Sequence, residues 1–149
     1  MNDDECLADV RRFLEAQEVM VLATVSADGV PHACGMHYAP RADTLYCSSL
    51  PATRKLQNIA DNPNVGYTVY HLADYSERRD TKLVQGLGRA AVVDGEEASA
   101  ARELLAKRFP WAPELLLARN AVIRIDPAEV LWMDMSSRGG RRHVLTYPS

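Results

Sequence analysis

Apolar residues near the N-terminus recur at helical spacing. Leu7, Val10, Phe13 and Leu14 share one face behind Asp3 or Asp4, either of which can cap the helix. From Glu18 the period changes. Val19-Met20-Val21-Leu22-Ala23-Thr24-Val25 is a continuous β-rich run, which predicts a strand covered on both faces. Ala27-Asp28-Gly29 predicts a tight hairpin turn, because Asp-Gly accepts positive φ. A second strand over 30–38 leads to a turn at 39–43, and a third strand over 44–49 stops before Pro51.

Residues 52–60 read as a short helix with Ala52, Leu56, Ile59 and Ala60 inward, ended by Asn62-Pro63-Asn64. Strands follow over 65–70 and 82–93, with a charged, solvated loop at 73–80 between them. Asp94 and Glu97 have the spacing of a capping box, opening a helix that carries Ala98, Ala101, Leu104 and Leu105 and ends near Phe109-Pro110. A helical turn at 113–119 precedes two last strands, 121–125 and 130–135, separated by Asp126-Pro127. Consecutive hairpins with few helices predict a mainly β fold, a small antiparallel barrel of six or seven strands with helices packed outside.

The chain of 149 residues reads as a single domain, 1–149, with an N-terminal helix within 1–17 and a basic tail at 136–149. Its 47% hydrophobic and 25% charged residues exclude a disordered or fibrous protein. A net charge of −3 speaks against coating nucleic acid, whereas the local clusters Arg54-Lys55 and Arg138–Arg142 suit a small anion. No run reaches the roughly 18–20 apolar residues of a membrane helix, and the acidic start Met1-Asn2-Asp3-Asp4-Glu5 is unlike a secretory signal. Cys6, Cys34 and Cys47 lack metal-ligand spacing. The expectation is a cytoplasmic protein with reduced thiols, no metal, and no membrane or nucleic-acid partner.

Candidate chemistry gathers where the third strand meets the following helix. Ser48 and Ser49 end the strand, and Thr53, Arg54 and Lys55 stand at the helix start. Unpaired N–H groups and the partial positive charge of a helix N-terminus favour a phosphate, with hydroxyls, a guanidinium fork and an ammonium around it. The plain alternative is that Ser49 or Thr53 caps the helix and the cations are solvated. Gly86-Leu87-Gly88 predicts a bulge or a close backbone approach inside a strand. Trp132 reads first as core and second as an aromatic wall beside a ligand. Trp111 reads as a wedge between a helix end and the barrel. His37 and His71 read as ordinary surface or loop residues, and no general acid or base stands out.

Four pieces occur in order: Val21–Val25 with Ala27–His32; Leu45–Ser49; Arg54-Lys55-Leu56-Gln57-Asn58-Ile59 with Asn62–Val65; and Val84-Gln85-Gly86-Leu87-Gly88-Arg89-Ala90. Together they resemble the flavin-binding split barrels related to pyridoxamine 5′-phosphate oxidase. The helix over 95–110 and the Gly139-Gly140-Arg141-Arg142 tail are similar to a less characterised branch of that superfamily.

The resemblance implies a six-stranded antiparallel Greek-key split barrel, a homodimer, and FMN in grooves at the dimer interface. It implies that His32, Ala33, Cys34, Gly35 and Met36 line the flavin ring. It places the phosphate at Ser48, Ser49, Thr53, Arg54 and Lys55, and Gln85 at the flavin or its ribityl chain. Trp132 is a further candidate for the cofactor wall, from the second subunit. The second strand lacks the basic residues of the oxidase proper, and Arg142-His143 only loosely echoes its substrate signature. The expected activity is therefore FMN-dependent redox chemistry on an unidentified substrate. The alternatives are a flavin carrier without turnover, or a relative that binds F420 or haem.

Overall fold

The computed structural model describes residues 1–72, 81–116, 118–136 and 140–149, so the expected loop at 73–80 lies outside the described residues. Helix α1 spans Asp3–Ala16. Strands β1 (Val19–Val25), β2 (Pro31–His37), β3 (Ala39–Arg41) and β4 (Thr44–Ser49) follow. Helix α2 (Arg54–Asp61) leads to β5 (Asn64–His71) and β6 (Lys82–Val93). Helix α3 (Gly95–Arg108), a 3₁₀ turn at Pro113–Leu116, β7 (Ala121–Asp134) and β8 (Arg141–Thr146) complete the order.

The strands form one antiparallel sheet in the order β2-β1-β5-β6-β7-β4-β3, with β8 also on β7. This bears out the mainly β class. The sheet has eight strands where the pattern predicts six or seven, because two further segments pair as strands while 121–125 and 130–135 merge into one. Residues 39–41 pair with 44–46 as β3, the turn itself carrying Ala42 at φ 53°. Residues 141–146 of the basic tail pair with 129–134 of β7 and so form β8.

Strand β7 is one strand where two were expected. Its first half pairs with β4 and its second with β8, while β6 runs along its other edge. Asp126-Pro127 does not break it because the register shifts there: Leu87 faces Glu129 and Gly88 faces Pro127, leaving Ala128 as the extra residue. A bulge tolerates a proline that has no N–H to give. Gly88 is needed beside it, since a Cβ there would stand 2.5 Å from the Asp126 carbonyl oxygen. The expected bulge is thus present, and what approaches closely is the protein's own backbone. At Gly86 a Cβ would lie 2.1 Å from the Tyr67 ring, which covers that glycine.

The inner face of the sheet holds Met20, Leu22, Leu45, Cys47, Val69, Val84, Ile123 and Ile125, all at most 1% exposed, beneath α1. Strand β1 corrects an expectation. Its burial alternates, with Val19 47% exposed, because none of the described residues covers its outer face there. Trp111 is likewise exposed and not wedged, touching the rings of His37 and Phe109 at 5.3 and 5.9 Å.

The helix caps differ from expectation too. Asn2, not Asp3 or Asp4, caps α1, accepting from the Glu5 N–H at 2.9 Å while Glu5 accepts from the Asn2 N–H at 3.1 Å. At α3, Asp94 makes no side-chain cap. Glu97 instead accepts from the Tyr46 hydroxyl at 2.8 Å and from Arg124 at 2.9 Å, tying α3 to β4 and β7. A partner across the sheet competed successfully for the carboxylate that the capping box needed.

Candidate cofactor site

Strand β4 delivers Ser48 and Ser49, both buried, to the edge of the core. The chain then turns through Pro51 and Ala52, whose φ of 60° is a left-handed conformation costly for a residue with a Cβ. That turn aims the N-terminus of α2 back at the serines. Thr53 occupies the N-cap position but makes no capping bond. Its Oγ1 lies 3.0 Å from Ser49 Oγ. Ser49 Oγ also donates to the Leu50 carbonyl at 2.9 Å and accepts from Lys55 Nζ at 3.4 Å. Because Ser49 gives its proton to Leu50, Thr53 donates to Ser49, and its hydroxyl, turned that way, does not cap the first-turn N–H groups of α2. Arg54 is exposed beside them.

Two asparagines brace this corner. Asn58, buried in α2, donates to Thr24 Oγ1 of β1 at 3.0 Å and so fixes the helix on the sheet. Asn120, buried ahead of β7, donates to Ser48 Oγ at 3.3 Å and to the Glu114 carbonyl at 2.9 Å, while its Oδ1 has no partner among the described residues. With the Asn120 amide as donor, the Ser48 hydroxyl keeps its own proton to give. Sequence reading passed over Asn120, because nothing local relates it to Ser48, 72 residues away.

Strand β2 lies alongside. His32, Cys34 and Met36 are half-buried while Ala33 and Gly35 turn outward. Strand β2 is in contact with β4, and the Lys55 charge acts on both Cys34 and Cys47. Burial nevertheless dominates both thiols: Cys34 is raised, and Cys47 is pushed up to about 12. Cys6 is pushed up to about 11, again chiefly by burial. Such thiols stay protonated at neutral pH and are poor nucleophiles or metal ligands. All three are free, and no group of metal-ligating side chains forms among the described residues. His32 Nδ1 is buried with no partner there, an unmet polar atom beside the candidate groove.

The Ser48 hydroxyl, the Lys55 ammonium and the uncapped start of α2 offer donors of the kind a phosphate requires. The family model described as pyridoxamine 5′-phosphate oxidase matches residues 7–134. The chain belongs to the pyridoxamine 5′-phosphate oxidase family. No curated protein matches it. Among solved structures it is similar to a haem-binding protein from Mycobacterium smegmatis, with a TM-score of 0.80 and 20% identity over 94% of this chain. The chain spans 57% of that protein. It is similar to HutZ, a haem storage protein from Vibrio cholerae (TM-score 0.70, 17% identity, 93% of this chain and 92% of that one). An FAD-binding protein from Mesorhizobium loti also resembles it (TM-score 0.68, 26% identity, 87% of this chain and 92% of that one).

Within the chain of this family member, two candidates stand away from the corner. Gln85 pairs across to Thr68 and Leu131 and points to the outer face of the sheet. Trp132 is 2% exposed and packs on Phe13 at 5.2 Å, on the α1 side. Ser48 pairs with Val122, ten residues before Trp132 on β7, or roughly 33 Å at a strand rise of about 3.3 Å. Tertiary structure thus brings Cys34 of β2 towards the β4 and α2 candidates, turns Ala33 and Gly35 to the outer face, and separates Gln85 and Trp132 from the serine corner. Among the described residues no helix is long and apolar enough to cross a membrane.

Proposed function

We propose that the protein is an FMN-dependent oxidoreductase acting as a homodimer. The carrying observation is the uncapped first turn of α2 facing Ser48, Ser49, Thr53 and Lys55. These donors, with the guanidinium of Arg54, would hold the cofactor phosphate, and residues 32–36 of β2 would lie along the ring. Bound FMN supplies hydride or electron transfer, and the chain supplies position and electrostatics.

The outer face supports the dimer. Val21, Thr68, Gln85, Leu131 and Val144 stand in register across five neighbouring strands. Val19, Tyr70 and Leu87 flank that row at 47%, 65% and 59% exposure. An apolar surface of this kind marks an association face. A second copy seated there would bring Gln85 to its partner's groove.

The absorbance spectrum of the purified protein, before and after added FMN, with the released ligand weighed by mass spectrometry, tests this reading. Flavin bands and a stoichiometric FMN mass are expected. A protein that cannot be loaded with FMN overturns it. Likeness to two proteins described as binding or storing haem favours haem as the second reading, which a Soret band would establish. F420 mass in the released ligand would assign the deazaflavin instead. A flavin carrier without turnover would show bound, reduced flavin passing electrons to acceptors no faster than free FMN.

A further inference from the structure

After α3 comes a tight turn, Phe109-Pro110-Trp111-Ala112, closed by the Ala112 N–H on the Phe109 carbonyl at 3.0 Å. Proline in its second position pre-sets φ for such a turn. Both ends are anchored: Phe109 is 0% exposed and Ala112 2%, and they pack with Ala39 and Leu105. The tip carries Trp111, a large apolar side chain left 60% exposed. Trp111 is nevertheless held in place. The His37–Phe109, His37–Trp111 and Phe109–Trp111 ring pairs meet edge-on, at 5.1, 5.3 and 5.9 Å with interplanar angles of 70°, 73° and 77°. A side chain already ordered in the free protein loses little freedom on meeting a ligand.

His37 ties this cluster to β2. It shares the outer face of the strand with Ala33 and Gly35 and stands opposite Val19 in the β1–β2 register. Ala33 and Gly35 bring almost no side chain to that face, so it stays flat as far as His37 and Trp111. Val19 and Val21 continue the floor and, with Thr68 and Tyr70, line a cavity of about 490 Å³. Small-molecule pockets run from about 300 to 1,000 Å³. A flat floor ended by ordered rings suits a planar aromatic group, which gains from stacked or edge-on ring contacts. We propose that Trp111, with His37 behind it, is a binding residue for the ring system of the bound flavin, forming the wall at the His37 end of β2. The inference rests on the flavin reading above, in which residues 32–36 lie along the ring. It adds a side chain that acts on the ring, where Arg54 and Lys55 act on the phosphate.

Because Trp111 is exposed, its replacement leaves the core untouched. Trp111→Ala is expected to weaken FMN and riboflavin by the same factor, about tenfold in fluorescence titration, the loss of one aromatic contact. Trp111→Tyr is expected to hold both within about threefold of the parent, and Trp111→Leu to lose as much as Trp111→Ala. Flavin bound by Trp111→Ala as tightly as by the parent overturns the inference and leaves the flavin reading standing. So does parental affinity in Trp111→Leu, since bulk would then serve in place of a ring. A loss for FMN that riboflavin does not share also overturns it, because the side chain would then act at the phosphate end. A parent protein that cannot be loaded with FMN overturns the flavin reading and this inference together.

Discussion

The ends of α1 and the start of α2 treat the same physical problem in opposite ways. Asn2 and Glu5 satisfy each other's backbone N–H groups at the N-terminus of α1. The C-terminal carbonyls of α1, which has no basic residue of its own in the last turn, are met from outside. Arg108 at the end of α3 donates to the Leu14 carbonyl at 3.1 Å and to the Gln17 carbonyl, and pairs with Glu15 at 3.4 Å. Tyr38 adds a hydroxyl to the Leu14 carbonyl at 2.7 Å, beneath the guanidinium. At α2 the residue in the capping position has turned its oxygen to a serine, and a lysine follows. A helix end closed by protein groups contributes to stability, and one left open among donors is available to an anion.

The largest expected effect falls on the closed end. Arg108→Ala removes a mostly buried guanidinium and strands carbonyls of α1, for a loss of ~3 kcal/mol in urea unfolding. FMN affinity of the folded fraction should be unchanged. If Arg108→Ala abolished FMN binding in folded protein, the division between closed and open ends would fail. The double change Arg54→Ala with Lys55→Ala should do the reverse. It is expected to weaken FMN about 100-fold by fluorescence titration, two charge-assisted contacts being lost, and to move stability by less than about 0.5 kcal/mol.

Two single changes sharpen the contrast between caps. Asn2→Ala should cost about 1 kcal/mol, as a working N-cap does. Thr53→Ala should cost less than half of that, because its hydroxyl caps nothing, while raising the Kd for FMN by about tenfold. Equal stability losses in the two variants would show that Thr53 caps α2 after all.

The smallest effect concerns α3. The Tyr46 hydroxyl, and then Arg124, hold the Glu97 carboxyl below its ordinary value of 4.5. A carboxylate depressed on folding stabilises the protein above its unfolded pKa, and that contribution is lost as pH falls through the folded value. Glu97→Gln should therefore flatten the acid limb of a Tm-against-pH curve below about pH 4.5 and leave its course near neutrality parallel to that of the parent. An acid limb of unchanged slope would show that the Glu97 contacts do not persist in solution.

Much of this architecture is visible in the order of residues. Asp28-Gly29 predicts the first hairpin, and Gly29 indeed sits at φ 87°. The apolar stretch 82–93 predicts β6 end to end. The serines, threonine and two cations around Pro51 predict where an anion would sit, because they fall within eight residues of one another (48 to 55). What escaped is non-local. Residues 141–146 become a strand only because the second half of β7 has a free edge once β4 has diverged from it. Pro127 stays inside a strand only because Gly88 opposite lets the backbones close up.

By itself, then, the sequence determined the strand and helix periods, the short-range turns and the cluster of phosphate-type donors, all of which depend on neighbours a few residues apart. Tertiary structure alone decided which caps were used, since Glu97 had a better partner in Arg124 and Tyr46 than in its own helix. It also decided which candidates lie near one another. Gln85 is set apart from Ser48 by the side of the sheet it faces, and Trp132 by the distance along β7, which packs it on Phe13 of α1. Hydrogen-bond partners and faces are chosen by competition among groups far apart in the chain, and that competition is settled only when the sheet closes.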